Sequence, residues 1–429
     1  MTATAPDQTV QLDEAVFQTR FDGGPVVLSE RISTVRSVAM GIWVRWGASH
    51  DAVERMGSSH LLEHMIFKGT EGRTARQIAL EVEGIGGSLD AYTSREHTAC
   101  YAKVLDEHLP IAADVLTDLV FRPLLREQDL EIERRVILEE IAGVEDTPEE
   151  LVFDLHARAT WGQHPYGNPV LGTAETVGAI TLDDLHGLWQ AAYRPGACVV
   201  AAAGNIEHEE LLELVARYFP QTREQVEVPS VPEPAPAGPE KKLVERDTAQ
   251  THICLGAPTF PRSDPRRYAS ILISTALGGG MSSRLFQRVR EELGLAYTIY
   301  TFQSFYARGG LAGVYMATGP DTAERAVEEV REELGLLSGT GLASEELRAV
   351  KNQTKGQVLL SLESTSARLQ RLAGVALYDE PYLTLDEICG RIDAVGEQEV
   401  ADLCWKYYAP EHQAVIRLGP EPQAAEPDD

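Results

Sequence analysis

The sequence predicts an α+β fold of two homologous α/β domains, each a mixed or antiparallel sheet with packed helices, related by duplication and joined by a proline-rich linker. Two observations predict it. Prolines interrupt the chain near its midpoint, and each half repeats the same order of short apolar strand candidates followed by long amphipathic helices. With 429 residues, 43 % of them hydrophobic, the chain is long enough to form two or three domains with sizeable cores.

The linker is the segment 228–240, whose five prolines deny it both helix and central strand. It places an N-terminal domain at 11–227 and a C-terminal domain at 241–419. Residues 420–429 are rich in proline and acid, and we expect them to form a disordered tail.

The two halves resemble each other in their elements. Apolar strand candidates occur at 35–44 in the first half and 252–256 in the second. Each half then has a comparable helix entry with acids in its first turn, at 124–130 and 341–347, and each entry opens a predicted helix of at least twenty residues. The shared order predicts duplication of a whole domain.

The charge of the chain argues against one class of function, and its cysteines and apolar segments indicate its redox state and location. A net charge of −28 argues against nucleic-acid binding, which requires clustered lysine and arginine. The same charge would favour basic peptides, although an acidic surface kept for solubility is the more common reason for it. The five cysteines form no CxxC pair, and we expect them to be reduced and mostly buried. No membrane span or export signal is seen, so we expect a cytoplasmic protein.

The string His60-Leu61-Leu62-Glu63-His64 predicts a metal site. In a helix, His60 and His64 lie on one face, about 6 Å apart along the axis, and could hold one zinc ion with Glu63 beside it. The alternative is a structural histidine pair on a surface helix. Because two imidazoles under-coordinate zinc, a further ligand is needed. Candidates are Glu133 and Glu140, two turns apart on one face of a predicted helix, whereas Glu139 points about 100° away.

At these positions the chain resembles the inverzincin peptidases of the pitrilysin and insulinase superfamily, most closely the short branch similar to mitochondrial processing peptidase. The resemblance rests on the segments 59–70, 133–140 and 164–167 and covers most of the chain. It implies one Zn²⁺ per chain, with Glu140 as third ligand because it lies 76 positions after His64. It also implies that Glu63 is the general base for zinc-activated water. Glu133 would orient a ligand, or else form part of a solvated helix face.

In the second half, the resemblance assigns Arg290 and Tyr297 to stabilising the substrate's oxyanion. Packing and surface ion pairing remain alternatives for this pair. The preceding segment 278–286 is glycine-rich but lacks the GKS or GKT of a phosphate loop. No second HxxEH occurs, and alignment of the two helix entries places Gln357 opposite Glu140, so only the first half is expected to bind metal.

Residues Asp90, Ala91, Tyr92 and Thr93 look like the family's substrate-binding edge strand, to which a peptide adds through main-chain hydrogen bonds. Relatives usually have Asn where this chain has Asp90, a change that could favour cationic peptides. They usually have Arg where it has Asn168, which puts inference about one binding pocket in doubt.

The resemblance therefore implies a zinc metalloendopeptidase that cleaves extended or unfolded peptides inside a chamber formed by a dimer. Two domains make half of the chamber of longer relatives, so the expected partner is a second copy or a paralogue, whose Arg290 and Tyr297 would serve this chain's zinc site. The alternatives are a catalytically silent core or scaffold subunit of a larger complex, and a zinc hydrolase with a non-peptide substrate.

Overall fold

The computed structural model of this chain describes residues 8–221, 226–235 and 238–421. The predicted tail at 420–429 lies outside these residues from position 422 onward. The strands in chain order are β1 Gln8–Asp13, β2 Val16–Arg20, β3 Val26–Arg31, β4 Ser37–Val44, β5 Ser88–Thr93, β6 Thr98–Leu105, β7 Cys198–Gly204, β8 Lys241–Glu245, β9 Thr251–Thr259, β10 Ala296–Phe305, β11 Gly310–Thr318 and β12 Ala414–Gly419.

The α-helices, listed in the same way, are α1 Ser58–Ile66, α2 Ala75–Glu83, α3 Leu109–Phe121, α4 Glu127–Asp146, α5 Pro148–Trp161, α6 Ala174–Ala179, α7 Leu182–Ala192, α8 His208–Tyr218, α9 Arg267–Gly278, α10 Ala323–Thr340, α11 Ser344–Ser361, α12 Thr365–Leu377, α13 Leu385–Ala394 and α14 Glu397–Leu403. Two segments are π-helical, Phe286–Glu292 and Cys404–Tyr408. None of the helices described is long and apolar enough to cross a bilayer.

The first of two compact units contains a seven-stranded sheet in the order β1-β2-β3-β7-β4-β6-β5. Only β3 and β7 run parallel, so the sheet is mixed. The apolar residues of α1 and α3 cover one face and form the larger core of this unit, whereas Leu369, Leu372 and Ala373 of α12 pack on the other face against Trp43. Strand β5 is left at the edge.

The second unit contains a five-stranded sheet in the order β10-β11-β9-β12-β8, in which only β8 and β12 run parallel. Apolar residues of α9, α10 and α14 cover one face, and Val152 and Ala159 of α5 pack on the other. Each unit therefore has a mixed sheet with helices on both faces and a hairpin, β5-β6 or β10-β11, at one edge. This correspondence confirms the predicted α+β fold and duplication.

The compact units depart from the contiguous domains expected at 11–227 and 241–419. Residues Ala142–Asn168, which include α5, belong to the second unit, and Leu360–Thr384, which include α12, belong to the first. The physical reason is packing: each of these two helices buries its apolar face on the sheet of the other half of the chain. The two halves have thus exchanged one helix each.

Several local predictions match the structure. The strand expected at 35–44 is β4, and the one at 252–256 lies within β9. The two helix entries open α4, of 20 residues as predicted, and α11, which has 18 residues and is thus shorter than the predicted minimum of twenty. The described residues of the linker 228–240 form no regular element, although Val231 is buried in the second unit beside Trp161. All five cysteines are free, and all but Cys389 are buried, as expected.

Candidate metal centre

Helix α1 presents the two histidines because its opposite side is apolar. Leu61, Leu62, Met65 and Ile66 are fully buried in the core of the first unit, which leaves His60 and His64 on the other side. Gly57 begins the helix with φ 92°, a conformation that suits glycine. A Cβ there would lie 2.5 Å from the carbonyl oxygen of Leu171, so no larger residue fits.

The carboxylate of Asp51 caps this helix from outside it. Its Oδ2 accepts hydrogen bonds from the backbone N–H groups of Gly57 at 3.1 Å and Ser59 at 3.2 Å, and its Oδ1 accepts one from the Ser59 hydroxyl at 2.6 Å. These bonds satisfy donors that the first helical turn leaves without intrahelical partners. Asp51 therefore determines where α1, the helix that carries His60 and His64, begins.

Helix α4 brings Glu140 to the two histidines. Its carboxylate oxygens lie 3.8 Å from His60 Nε2 and 3.7 Å from His64 Nε2, and one donor atom from each of the three residues lies within 4.8 Å of the others. These separations are too long for hydrogen bonds. They are near the spacing of about 3.4 Å expected for donors placed about 2.1 Å from one tetrahedral zinc ion.

The chemistry of the donor set also fits zinc. Two imidazoles and a carboxylate are ligands typical of catalytic zinc sites, which leave a position open. Burial, together with the neighbouring His64, lowers the pKa of His60 to about 4, so this imidazole is neutral at pH 7 and can donate its lone pair. In the described part of the chain, His60, His64 and Glu140 form the single such group of three metal-binding side chains.

Glu63 lies next to the histidines but faces the end of strand β5. Its Oε2 accepts a hydrogen bond of 2.5 Å from the Thr93 hydroxyl, and only 8 % of the residue is exposed. Burial raises the pKa of Glu63, and the nearby Glu140 and Asp90 act in the same direction. The Thr93 hydrogen bond and His64 oppose this rise. A carboxylate with a raised pKa beside a metal site is suited to accept and return a proton.

Glu133, one of the two candidates for the third ligand, contacts His64 and is not directed to the space between the two histidines. Its Oε2 lies 3.1 Å from His64 Nδ1, and its Oε1 lies 2.6 Å from the ammonium of Lys68. Glu133 is 5 % exposed, which excludes the solvated helix face considered above. Glu139, about 100° around α4 from Glu140, is exposed. Glu133 thus supports His64, whereas Glu140, two turns further along α4, is the candidate ligand.

The four residues of the expected substrate strand all lie in β5. Leu89, Ala91 and Thr93 face the helices of the larger core, and Thr93 ends the strand at Glu63. Asp90 alternates to the opposite face, where its carboxylate accepts a hydrogen bond of 3.3 Å from Tyr101. Asp90 is thus on the sheet face away from Glu63.

Arg290 and Tyr297 lie together in the second unit. The Arg290 guanidinium stacks over the rings of both Tyr297 and Phe286, each at 4.5 Å from the ring centroid. Tyr297, the second residue of β10, is 76 % exposed. The segment 164–167 and Asn168 are also in this unit, where Tyr166 is fully buried and Asn168 accepts a hydrogen bond of 3.0 Å from Arg158.

The second unit has a counterpart of the Glu63–Thr93 pair without the metal ligands. Ser274 of α9 donates a hydrogen bond of 2.9 Å to Thr301 of β10. Thr301 lies seven residues after Gly294, as Thr93 does after Gly86, and both glycines have positive φ. With Ser274 in the place of Glu63, the places of the histidines are taken by Ile271 and Thr275, which supply no imidazole.

Two residues that support the site, Asp51 and Lys68, were not predicted from the sequence. Lys68 stands four positions after His64, a spacing that could have drawn attention to it as a neighbour of the same helix face. Asp51 carries no such signal, because a capping residue is normally sought directly before the helix and not seven positions ahead of it.

Comparisons with known proteins show the family of this chain. The family model for insulinase (peptidase family M16) matches residues 26–174, and that for the peptidase M16 inactive domain matches residues 179–354. YmxG of Bacillus subtilis, named an uncharacterized zinc protease, is 39 % identical over 393 residues, 92 % of this chain and 96 % of that protein. An uncharacterized zinc protease of Streptomyces coelicolor is 38 % identical over 392 residues, 90 % of this chain and 85 % of that protein.

Solved structures show the same fold. A crystal structure from Pseudomonas fluorescens, described as a peptidase M16 inactive domain, matches with a TM-score of 0.88 at 21 % identity and covers 96 % of this chain and 100 % of that one. A protease from Helicobacter pylori matches with a TM-score of 0.87 at 20 % identity and covers 97 % and 100 %. Extended similarity to named zinc proteases supports zinc as the cofactor, and the chain belongs to the insulinase family of zinc peptidases, peptidase family M16.

Proposed function

We propose that this chain is a zinc-dependent endopeptidase that cleaves extended or unfolded peptides. One observation carries the proposal: the triad of His60, His64 and Glu140 lies beside Glu63, whose carboxylate is held by the last residue of an edge strand. Metal ligands, a buried base and a place for a peptide backbone thus meet in one unit. This is the set of parts that hydrolysis of an amide bond requires.

In this proposal His60, His64 and Glu140 hold zinc, which when bound acts as a Lewis acid for the scissile carbonyl and makes water more acidic. Glu63 takes the proton of the attacking water and transfers it to the departing amine. The Thr93 hydroxyl keeps the Glu63 carboxylate in one orientation while the proton moves. Burial of Glu63 excludes competing water from this carboxylate.

The substrate lies along β5, the last strand of the sheet in the part of the chain that the structure describes. Strand β5 pairs with β6 on one side only, so its other side offers backbone donors and acceptors to an extended peptide. Because Thr93 ends this strand at Glu63, a peptide added to β5 passes the base.

Asp90 contributes a preference for basic peptides in this proposal. A substrate side chain paired with Asp90 lies on the sheet face away from Glu63, near the carboxylate and Tyr101. Opposite charges paired across strands contribute about 0.2–1 kcal/mol, so we expect Asp90→Asn to reduce the preference for lysine or arginine at that position up to about fivefold. Comparison of cleavage of matched peptides with lysine or norleucine there would measure this.

A dimer completes the proposed enzyme. Arg290 and Tyr297 of one chain would stabilise the oxyanion at the zinc site of its partner, a second copy or a paralogue. Tyr297 is exposed, and stacking holds Arg290 beside it. Both observations support the proposal that the two side chains are available to a partner chain. The cytoplasmic location expected from the sequence also stays a prediction, which fractionation of the source cells would test.

The test of the proposed function is hydrolysis of a mixed pool of unstructured peptides, followed by mass spectrometry. We expect the zinc-loaded protein to cleave internal bonds, chelator to stop cleavage, and added zinc to restore it. Glu63→Gln keeps the shape and the zinc ligands, and we expect it to retain zinc while losing at least about 100-fold in kcat. No cleavage by fully metallated protein, alone or with a paralogue added, would contradict the proposal and favour the scaffold alternative.

A further inference from the structure

Lys68 stands behind one of the two zinc histidines, with Glu133 between them. The two oxygens of Glu133 are divided between a ring nitrogen, His64 Nδ1 at 3.1 Å, and the ammonium of Lys68 at 2.6 Å. By contrast, His60 Nδ1 is buried and has no hydrogen-bond partner among the described residues. Of the two imidazoles, His64 is therefore the one whose orientation a carboxylate controls.

We propose that Lys68 is a positioning residue for zinc: it holds Glu133 in the orientation that accepts the Nδ1–H of His64, which leaves His64 Nε2 as the metal-binding nitrogen. This inference rests on the zinc ligands of the proposed function. The tautomer of a histidine ligand is set by the hydrogen bond that its other nitrogen makes. Lys68 acts one step further out, on the carboxylate that makes that bond.

The backbone around Lys68 ties it to both helices of the site. Its N–H donates to the carbonyl of Met65 in α1 at 3.1 Å, and its carbonyl accepts a hydrogen bond of 2.9 Å from the Arg126 guanidinium. Arg126 directly precedes α4, which carries Glu133 and Glu140. Lys68 therefore has a fixed position relative to the helix of His64 and to the helix of the third ligand.

The side chain of Glu133 is only 7 % exposed, so its two oxygens depend on these partners. Without Lys68, Oε1 would be left without its charged donor in a poorly hydrated position, and rotation of the carboxylate to find another donor would break its bond with His64. The charges also balance: Zn²⁺ and Lys68 together offset the three carboxylates of Glu63, Glu133 and Glu140.

Positioning and simple electrostatics predict opposite signs for the loss of Lys68. Removal of a cation near a metal site favours Zn²⁺ by Coulomb attraction, because the site becomes more negative. Loss of a partner outside the ligand shell instead weakens metal binding, typically 10- to 100-fold. The direction of the change in zinc affinity therefore separates a positioning role from a purely electrostatic one.

The experiment measures zinc affinity by competition with a chelating dye, which does not depend on turnover. We expect Lys68→Met to weaken zinc binding 10- to 100-fold and Lys68→Gln, a second uncharged variant, to do the same. Lys355→Met is the matched control, because Lys355 forms an ion pair of 2.7 Å with Asp393 in the second unit, away from any metal ligand in the sequence. We expect it to bind zinc as the wild type does.

A double variant tests whether Lys68 acts through Glu133. We expect Lys68→Met combined with Glu133→Gln to bind zinc about as weakly as Glu133→Gln alone. The visible spectrum of the cobalt-loaded protein provides a second readout, and we expect it to change in Lys68→Met and not in Lys355→Met. Unchanged or tighter zinc binding in both Lys68 variants, or independent effects that multiply in the double variant, would overturn the inference.

His64→Ala separates failure of this inference from failure of the proposed function. If zinc affinity does not depend on His64, the proposed ligand set is wrong and the role of Lys68 falls with it. If zinc affinity depends on His64 but not on Lys68, the ligand set stands and only the positioning role is overturned.

Discussion

Thr93→Val tests the link between the edge strand and the proposed base. Valine has nearly the same shape as threonine and suits a strand, so the change removes the hydroxyl and little else. The hydroxyl donates a 2.5 Å hydrogen bond to Oε2 of Glu63, in a position where Glu63 is 8 % exposed. Its loss leaves the carboxylate free to rotate.

The expected magnitude follows from that bond. A hydrogen bond to a charged group contributes about 1.5–3 kcal/mol, and water can replace it only in part because Glu63 is buried. If the carboxylate must be oriented when it accepts the proton, most of this energy is lost from the transition state. We therefore expect kcat/KM to fall about 10- to 100-fold. Because the bond lowers the pKa of Glu63, its loss should also move the acidic limb of the pH profile upward.

The assay is cleavage of one defined peptide across pH, with zinc affinity measured in parallel. Among the described residues the Thr93 hydroxyl forms hydrogen bonds with Glu63 and Thr98 and with none of the three ligands, so we expect zinc affinity to stay at the wild-type value. Thr301→Val is the matched control, since it removes the corresponding hydroxyl from the second unit and should leave kcat/KM unchanged. A Thr93→Val protein with wild-type kcat/KM, or one whose loss is explained by loss of zinc, would refute this reasoning.

Three further predictions concern the helix cap, acid stability and the dimer. Asp51→Ala leaves three donors at the start of α1 without their acceptor and should destabilise the first unit by about 2–3 kcal/mol in urea unfolding, whereas Asp51→Asn, which keeps one acceptor oxygen, should lose less than half of that. Burial lowers the pKa of His156 to about 4, below its unfolded value near 6.5. The unfolded state therefore binds the proton first, and wild-type stability relative to His156→Leu should fall by about 3 kcal/mol between pH 6.5 and pH 4. Mixed Arg290→Ala and Glu63→Gln chains should recover part of the activity that each lacks alone; heterodimers that form and stay inactive would contradict the shared site.

The parts of the fold that depend on local pattern were predictable from the sequence. The period of apolar residues indicates β4, β9 and the two long helices α4 and α11, because it reports which side of an element is buried. It does not report which sheet covers that side. The exchange of α5 and α12 between the halves was therefore missed, since each helix has an ordinary apolar face that either sheet could accept.

The metal site could likewise be predicted from local pattern only in part. The four-residue spacing of His60 and His64 follows from helix geometry alone, whereas the choice of Glu140 over Glu133 required the family spacing of 76 positions. In the structure Glu133 contacts His64 Nδ1 and Lys68, whereas Glu140 lies 3.7–3.8 Å from Nε2 of both histidines, which is consistent with that choice. Lys68 stands four positions after His64, a local spacing that could have indicated it, whereas the contacts of Asp51 depend on how a loop returns to α1, which no local pattern encodes.

The central claim is that one zinc ion is held by His60, His64 and Glu140. The most direct measurement is X-ray absorption at the zinc edge of stoichiometrically loaded protein, for the wild type and for His64→Ala. We predict one zinc per chain in the wild type, with two imidazoles, oxygen donors and no sulfur, and loss of the second imidazole in the variant. Sulfur in the first shell, or an identical spectrum from His64→Ala, would contradict the account.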